Sequence, residues 1–351
     1  MGDSFISGEG GRWRGNGVPV APAGDRYGTD RAAYNCWESW SWCNHDAARV
    51  YADSYKNGCN RSDSAEVSST SIPARPVNLA CSGAGSDNIF RTSHGGQPFK
   101  GEAPQADQLA HLDGKIKLIV LSIGGNDLGF SGIITSCVMN YTFSKHCKDE
   151  QDPTIAQGIT DAKPKVAKAI DEIRAVMQNK GYQDDDYRLI LQSYPSPIPR
   201  GSDNRYPQTY ERHHSGGCPL YNDDSTWARD SVVPRISAML YTAATEKHVQ
   251  FLDLQNALNG HEVCAKTARQ ATNHNSFSTP QPPESAEWIR FLVALGSQGD
   301  QQESIHPNYF GQKALGQCLT LLHHRPKGDF ACHNTPDTDA SGMHLEPLRG
   351  Q

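Results

Sequence analysis

The stretch Ile116-Lys117-Leu118-Ile119-Val120-Leu121-Ser122-Ile123-Gly124-Gly125-Asn126-Asp127 carries the clearest structural signal in the chain. Its apolar run suits a strand covered on both faces. The run ends in a glycine turn that carries an amide side chain, and the C-terminal ends of strands are where α/β sheets place their sites.

Downstream, Val166, Ile170, Ile173 and Met177 fall at spacings of four, three and four, which predicts one face of an amphipathic helix over 165–180, stopped by Gly181. A strand follows at 188–192, broken by prolines at 195, 197 and 199. A helix is expected over 225–247, interrupted at Pro234, and then a strand over 248–254. Residues 285–295 read as helical. After them comes Glu303-Ser304-Ile305-His306-Pro307-Asn308, in which Pro307 biases His306 away from helical backbone and suits the first turn of the next helix. In that helix Leu315, Cys318, Leu319 and Leu322 form an apolar face.

Upstream, 77–80 is a brief strand candidate running into the turn Cys81-Ser82-Gly83-Ala84-Gly85. Residues 45–56 have helical character, with Asn44 as cap and Asn57-Gly58 as stop. Residues 8–35 read as loop, and 334–351 as a polar, mobile tail. Strands alternating with helices imply a mostly parallel sheet with helices on both faces.

Composition narrows the function classes. The 351 residues are 36% hydrophobic, with 32 glycines and 21 prolines. With a mean hydropathy of −0.63, they describe a polar, loop-rich globular chain. No apolar run approaches the roughly 20 residues that span a bilayer. A net charge of −6 lacks the basic stripe that nucleic acid demands. Ten cysteines at scattered spacings read as five disulfides of an exported protein, although no signal peptide is visible in this chain. About 945 pairings are possible. Proximity along the chain selects Cys36–Cys43, Cys59–Cys81, Cys137–Cys147, Cys218–Cys264 and Cys318–Cys332. Within the first of these loops Trp37, Trp40 and Trp42 either line a substrate lip or pack against the disulfide.

The chain opens on Gly2-Asp3-Ser4-Phe5, a serine on a potential tight turn. With the turns at Gly83 and at 124–127, and a histidine ahead of the last helix, the parts of an acyl-transfer site are all present. In their order these blocks resemble the SGNH hydrolases, also called the GDSL esterase and lipase family, over residues 2–322. Cys59-Asn60-Arg61-Ser62, Asn126-Asp127-Leu128-Gly129-Phe130, Tyr194-Pro195 and Gly260-His261-Glu262-Val263-Cys264 look like its secreted, disulfide-containing actinobacterial branch.

The resemblance implies a flavodoxin-like, three-layer α/β/α fold with about five strands and long disulfide-pinned loops, in one hydrolase domain over 1–333. The family has an apolar strand leading into the serine turn. Here only Met1 precedes it, so that strand is expected to be truncated. The resemblance also implies Ser4 as nucleophile, His306 as general base, and an oxyanion hole formed by the Ser4 and Gly83 N–H groups and the Asn126 amide. Either Glu303 or a backbone carbonyl would orient the imidazole. No cofactor or metal is expected. His213-His214 and His323-His324 are adjacent pairs without ligand spacing, and His261 and Asp127 read as loop-fixing groups. The expected activity is a secreted, monomeric carboxylic ester hydrolase preferring short acyl esters. Lipase or phospholipase, polysaccharide acetylesterase, and acyl transfer to an alcohol remain alternatives on the same residues. A glycan- or surface-binding protein on a hydrolase scaffold is the alternative of another class.

Overall fold

The computed structural model describes residues 1–17, 28–32, 46–209, 212, 216–293 and 299–348. The expected Cys36–Cys43 bridge, Trp37, Trp40 and Trp42, and the pair His213-His214 lie outside these residues.

Nine α-helices are found among the described residues. They are α1 Ser4–Ser7, α2 Ala48–Tyr51, α3 Ser54–Asn57, α4 Gln105–Ala110, α5 Phe130–Thr142, α6 Lys148–Asn179, α7 Asn222–Trp227, α8 Val233–Glu246 and α9 Tyr309–His323. One five-stranded sheet runs in chain order through β1 Leu118–Leu121, β2 Arg188–Gln192, β3 Gln250–Asp253, β4 Phe330–His333 and β5 His344–Pro347. The first four strands are parallel and β5 is antiparallel to β4. In the register, Leu121 lies beside Leu191 and Leu191 beside Phe251, so the turns after the strands open on one edge. Helices α6 and α8 pack on each other, with α8 against β2 and β3, while α9 packs on β5 and on a short 3-10 turn at Glu66–Ser69. The molecule thus has the α/β/α layering expected for a mostly parallel sheet.

The first three strands lie where apolar runs predict them. The four described disulfides join Cys59 to Cys81, Cys137 to Cys147, Cys218 to Cys264 and Cys318 to Cys332.

Several elements differ from expectation. Residues 77–80 belong to no strand; the Ala80 N–H donates to the Asn78 side chain and the Ala80 carbonyl accepts from Arg61, so side chains take the ladder's place. The helix expected over 45–56 is split into α2 and α3 by Ala52, whose φ is 49°. Helix α6 begins well ahead of the predicted 165, since Pro153 and Pro164 are accommodated inside it. Ahead of Pro234 the chain widens into a π-helical turn, Ala228–Val232. Residues 285–293 form a turn, a bend and isolated bridges at Ala286 and Ile289 rather than a helix. Glu287, Trp288, Ile289, Arg290 and Phe291 are all buried there, so no solvent face exists for an amphipathic helix. Asn308, rather than Pro307, starts the last helix, its side chain accepting from the N–H groups of Phe310 and Gly311. The expected mobile tail instead supplies β5, whose Pro347 sits on a sheet edge where no ladder N–H is needed.

Candidate active site

The serine turn is set against the free edge of β1. Gly2 bridges Ser122 in parallel, with Asp3 N–H donating to the Ser122 carbonyl at 3.0 Å and Ser122 N–H to the Met1 carbonyl at 3.1 Å. The Gln105 side chain clasps Gly2 from the other direction, accepting from its N–H at 2.7 Å and donating to its carbonyl at 2.8 Å. Only glycine fits here, since a Cβ would lie 1.9 Å from the Ser122 carbonyl oxygen and φ is +136°. Residues 1–3 thus lie along the edge of β1 and are held there by the Gln105 side chain.

Asp3 then caps α1, accepting from Phe5 N–H at 3.1 Å. Its other carboxylate oxygen accepts from the Tyr194 hydroxyl, and that hydroxyl accepts from Gly125 N–H at 3.0 Å. Tyr194 thereby ties the serine turn to the glycine turn after β1. Burial pushes the Asp3 carboxyl up to about 7, against the opposing pull of its Tyr194 and Phe5 bonds.

Ser4 Oγ lies 2.6 Å from His306 Nε2. On the far side of the ring, His306 Nδ1 lies 2.9 Å from the Ser304 carbonyl. That carbonyl can only accept, so Nδ1 carries the hydrogen and Nε2 is left to accept from Ser4. Burial, with the Phe5 ring 4.9 Å away, holds the imidazole down at about 4 despite the opposing pull of the Ser304 carbonyl and Glu303. A neutral base facing a serine hydroxyl is the arrangement needed to take up its proton.

Glu303 is not the imidazole's partner, which corrects the carboxylate alternative. It is fully buried and turned away, accepting from Arg12, from the Tyr51 hydroxyl at 2.7 Å and from Trp13 Nε1 at 3.0 Å. Burial would raise its carboxyl, yet Arg12 and Arg290 hold it down at about 2. Its role in the fold is to anchor the loop. Ile305, between the accepting carbonyl and the histidine, has φ +63°, a left-handed conformation that a β-branched side chain rarely adopts. Arg290 brackets that residue through its backbone, accepting from Ile305 N–H at 3.0 Å and donating to the His306 carbonyl at 2.9 Å. Sequence reasoning missed this clamp, because 285–293 carries no periodicity that marks a two-sided backbone partner.

Ser4, Asn126 and His306 line one cleft. The Asn126 amide donates to the Ala84 carbonyl at 2.8 Å, which couples the turn after β1 to the Gly83 turn and leaves the amide's second hydrogen available. Ser4 and Gly83 N–H groups have no acceptor among the described residues. Gly83 adopts φ +86° and lies beside Phe99, one residue from Ala84, and is not among the residues lining the cleft. Its turn is fixed by Cys59–Cys81, by Ser82 N–H bonded to the Cys59 carbonyl at 3.0 Å, and by the Ser82 hydroxyl bonded to buried Glu9.

Asp127 accepts from Ser86 N–H and hydroxyl, and His261 Nδ1 bonds the Ala286 carbonyl while its ring stacks on Trp288. Both hold loops. No cluster of metal-ligating side chains is found among the described residues. No helix among them is long and apolar enough to cross a membrane.

The profile described as the GDSL-like lipase/acylhydrolase family matches residues 1–314. Among solved structures, an extracellular lipase from Streptomyces rimosus is similar at 18% identity and a TM-score of 0.51, covering 79% of this chain and 96% of its own. A phospholipase A1 from Streptomyces albidoflavus NA297 is similar at 18% identity and a TM-score of 0.53, covering 92% of this chain and 97% of its own. At that identity the likeness is one of fold. No curated protein matches the chain.

Proposed function

The chain belongs to the GDSL-like lipase/acylhydrolase family and is a serine ester hydrolase, and from that premise we propose that it cleaves carboxylic esters of apolar acyl groups through an acyl-enzyme on Ser4. The observation that carries this reading is the 2.6 Å approach of Ser4 Oγ to a neutral His306 Nε2.

Ser4 Oγ attacks the ester carbonyl as its proton passes to His306 Nε2. Breakage of the ester C–O bond follows, and the same nitrogen returns the proton to the departing alcohol. Water then attacks the acyl-enzyme, giving a proton to His306. Release of the acid restores the Ser4 hydroxyl. The oxyanion of each tetrahedral intermediate is held by Ser4 N–H, Gly83 N–H and the free hydrogen of Asn126 Nδ2. One such donor typically contributes about 3 kcal/mol to the transition state. The Ser304 carbonyl keeps the proton on Nδ1, so the unit works as a dyad with a backbone acceptor.

The cleft beside Ser4 is walled by Phe130, Ile134, Pro195, Val233 and Ile236, which supports a hydrocarbon acyl group over the acetyl group of a polysaccharide. Four disulfides support a site of action outside the reducing cytosol. In a Ser4→Ala variant, hydrolysis of p-nitrophenyl butyrate is expected to fall by at least about a thousandfold. Turnover within tenfold of wild type would sink the assignment.

A further inference from the structure

Adjoining the cleft that holds Ser4 and His306 is a second, inner cavity, lined by none of Ser4, Asn126 and His306. Counted out to their open mouths, the first holds about 680 Å³ and the second about 540 Å³. Phe130, Ile134, Pro197, Val233 and Ile305 line both, so the two are separated by nothing thicker than these side chains. One face of α5 runs along the pair, with Phe130, Ile133, Ile134 and Cys137 at the spacing that puts them on the same side of a helix.

The inner cavity offers a ligand only carbon. Two polar residues border it, and the polar atoms of both are already engaged. The Asp224 carboxylate accepts from the N–H groups of Cys147 and Lys148 at the start of α6, at 2.9 to 3.2 Å. Trp227 Nε1 donates to Asp152 at 2.8 Å, leaving the indole ring as a wall. Leu220, Val232 and Ile198 complete the lining. A polar alcohol or sugar leaving group gains nothing in such a space, whereas an alkyl chain entering it leaves water.

We propose that this inner cavity receives the distal part of a long acyl chain whose carbonyl lies at Ser4, making the enzyme selective for medium to long fatty acyl esters. The inference rests on the acyl-enzyme reading above and adds the substrate class. It reverses the short-chain expectation drawn from composition, because the low mean hydropathy averages over the surface and is blind to two adjoining apolar cavities. Phe130 and Ile134 stand between them and must yield as the chain passes. Ile305 is also shared, so a long chain packs against the strained residue that precedes the general base.

The experiment is a p-nitrophenyl ester panel from butyryl to palmitoyl, run below the aggregation limit of each ester, on wild type and on Ile133→Trp and Leu220→Trp, two substitutions that fill the inner cavity alone. For wild type, kcat/KM is expected to rise by up to about fourfold for each methylene that becomes buried, continuing beyond hexanoyl. Both variants should keep butyryl turnover within twofold and lose at least tenfold on dodecanoyl. An unchanged dodecanoyl-to-butyryl ratio in variants that still react with a short alkyl fluorophosphonate would overturn the proposal. Should a variant fail to fold, wild type decides alone, through the rate of Ser4 labelling by alkylphosphonates of increasing length. A rate still rising at dodecyl supports the inner site, and a plateau by hexyl overturns it. A wild type confined to butyryl esters yet inactivated by Ser4→Ala would leave the esterase assignment standing and remove only the inner site.

Discussion

His306 combines two requirements that oppose each other in water. In the proposed reaction it must be neutral to accept the serine proton, and its far nitrogen must be held by a group that stabilises the imidazolium formed on the way. Burial meets the first, holding the ring at about 4 against an ordinary imidazole near 6.5. The Ser304 carbonyl meets the second without a full negative charge beside the ring. Since the protonated ring cannot act as base, activity is lost as pH falls through the depressed value. The acid limb of the kcat/KM profile is therefore expected near pH 4, with full activity retained at pH 5.5. A limb near pH 6.5 would mean that the imidazole is hydrated as in a surface histidine.

Among the elements, the loop that carries the histidine is the least self-sufficient. Its left-handed Ile305 is tolerated because Arg290 brackets it and Glu303 is anchored to Arg12, Trp13 and Tyr51. A Glu303→Gln substitution keeps the shape but loses the buried charge that Arg12 and Arg290 face. It is expected to lower kcat about tenfold with KM unchanged, and to reduce Tm. Because the Glu303 charge also supports the imidazolium, the acid limb should move to lower pH rather than higher. A ten-thousandfold loss, the size seen when a direct triad carboxylate is neutralised, would put Glu303 back beside the imidazole. The sequence made the serine turn, Asn126, His306 and β1 to β3 legible, because each is a short local pattern: a glycine turn, a continuous apolar run, a proline before a helix. Arg290 and the 285–293 segment were not legible. They act through backbone groups and buried ion pairs over long separations, which leave no periodicity. Strand β5 was hidden for a related reason, since a polar edge strand reads like a tail.

At the scale of the whole molecule, four buried carboxyls, Asp3, Glu9, Glu66 and Glu262, are each raised to about 7 by burial. The folded state binds their protons more tightly than the unfolded chain does, so their contribution is complete at low pH and is lost as pH rises through 7. His306, held down at about 4, works the other way, favouring the fold as pH rises. Four groups outweigh one between pH 4.5 and 7. Below 4.5 Glu303, at about 2, withdraws its support as it is protonated. Tm is therefore expected to peak near pH 4.5 and to decline up to about pH 7, measured by calorimetry. A Tm that climbs steadily from pH 5 to 7.5 would show that these carboxyls are hydrated and ionised in the fold.

All three scales converge on one atom, Ser4 Oγ. Quenching the enzyme in acid during turnover of a slowly deacylating p-nitrophenyl ester, then mapping the adduct by peptide mass, tests that convergence directly. One acyl group per chain is expected, on Ser4, absent in Ser4→Ala. An adduct on another residue, or steady hydrolysis by Ser4→Ala with no adduct at all, would contradict it.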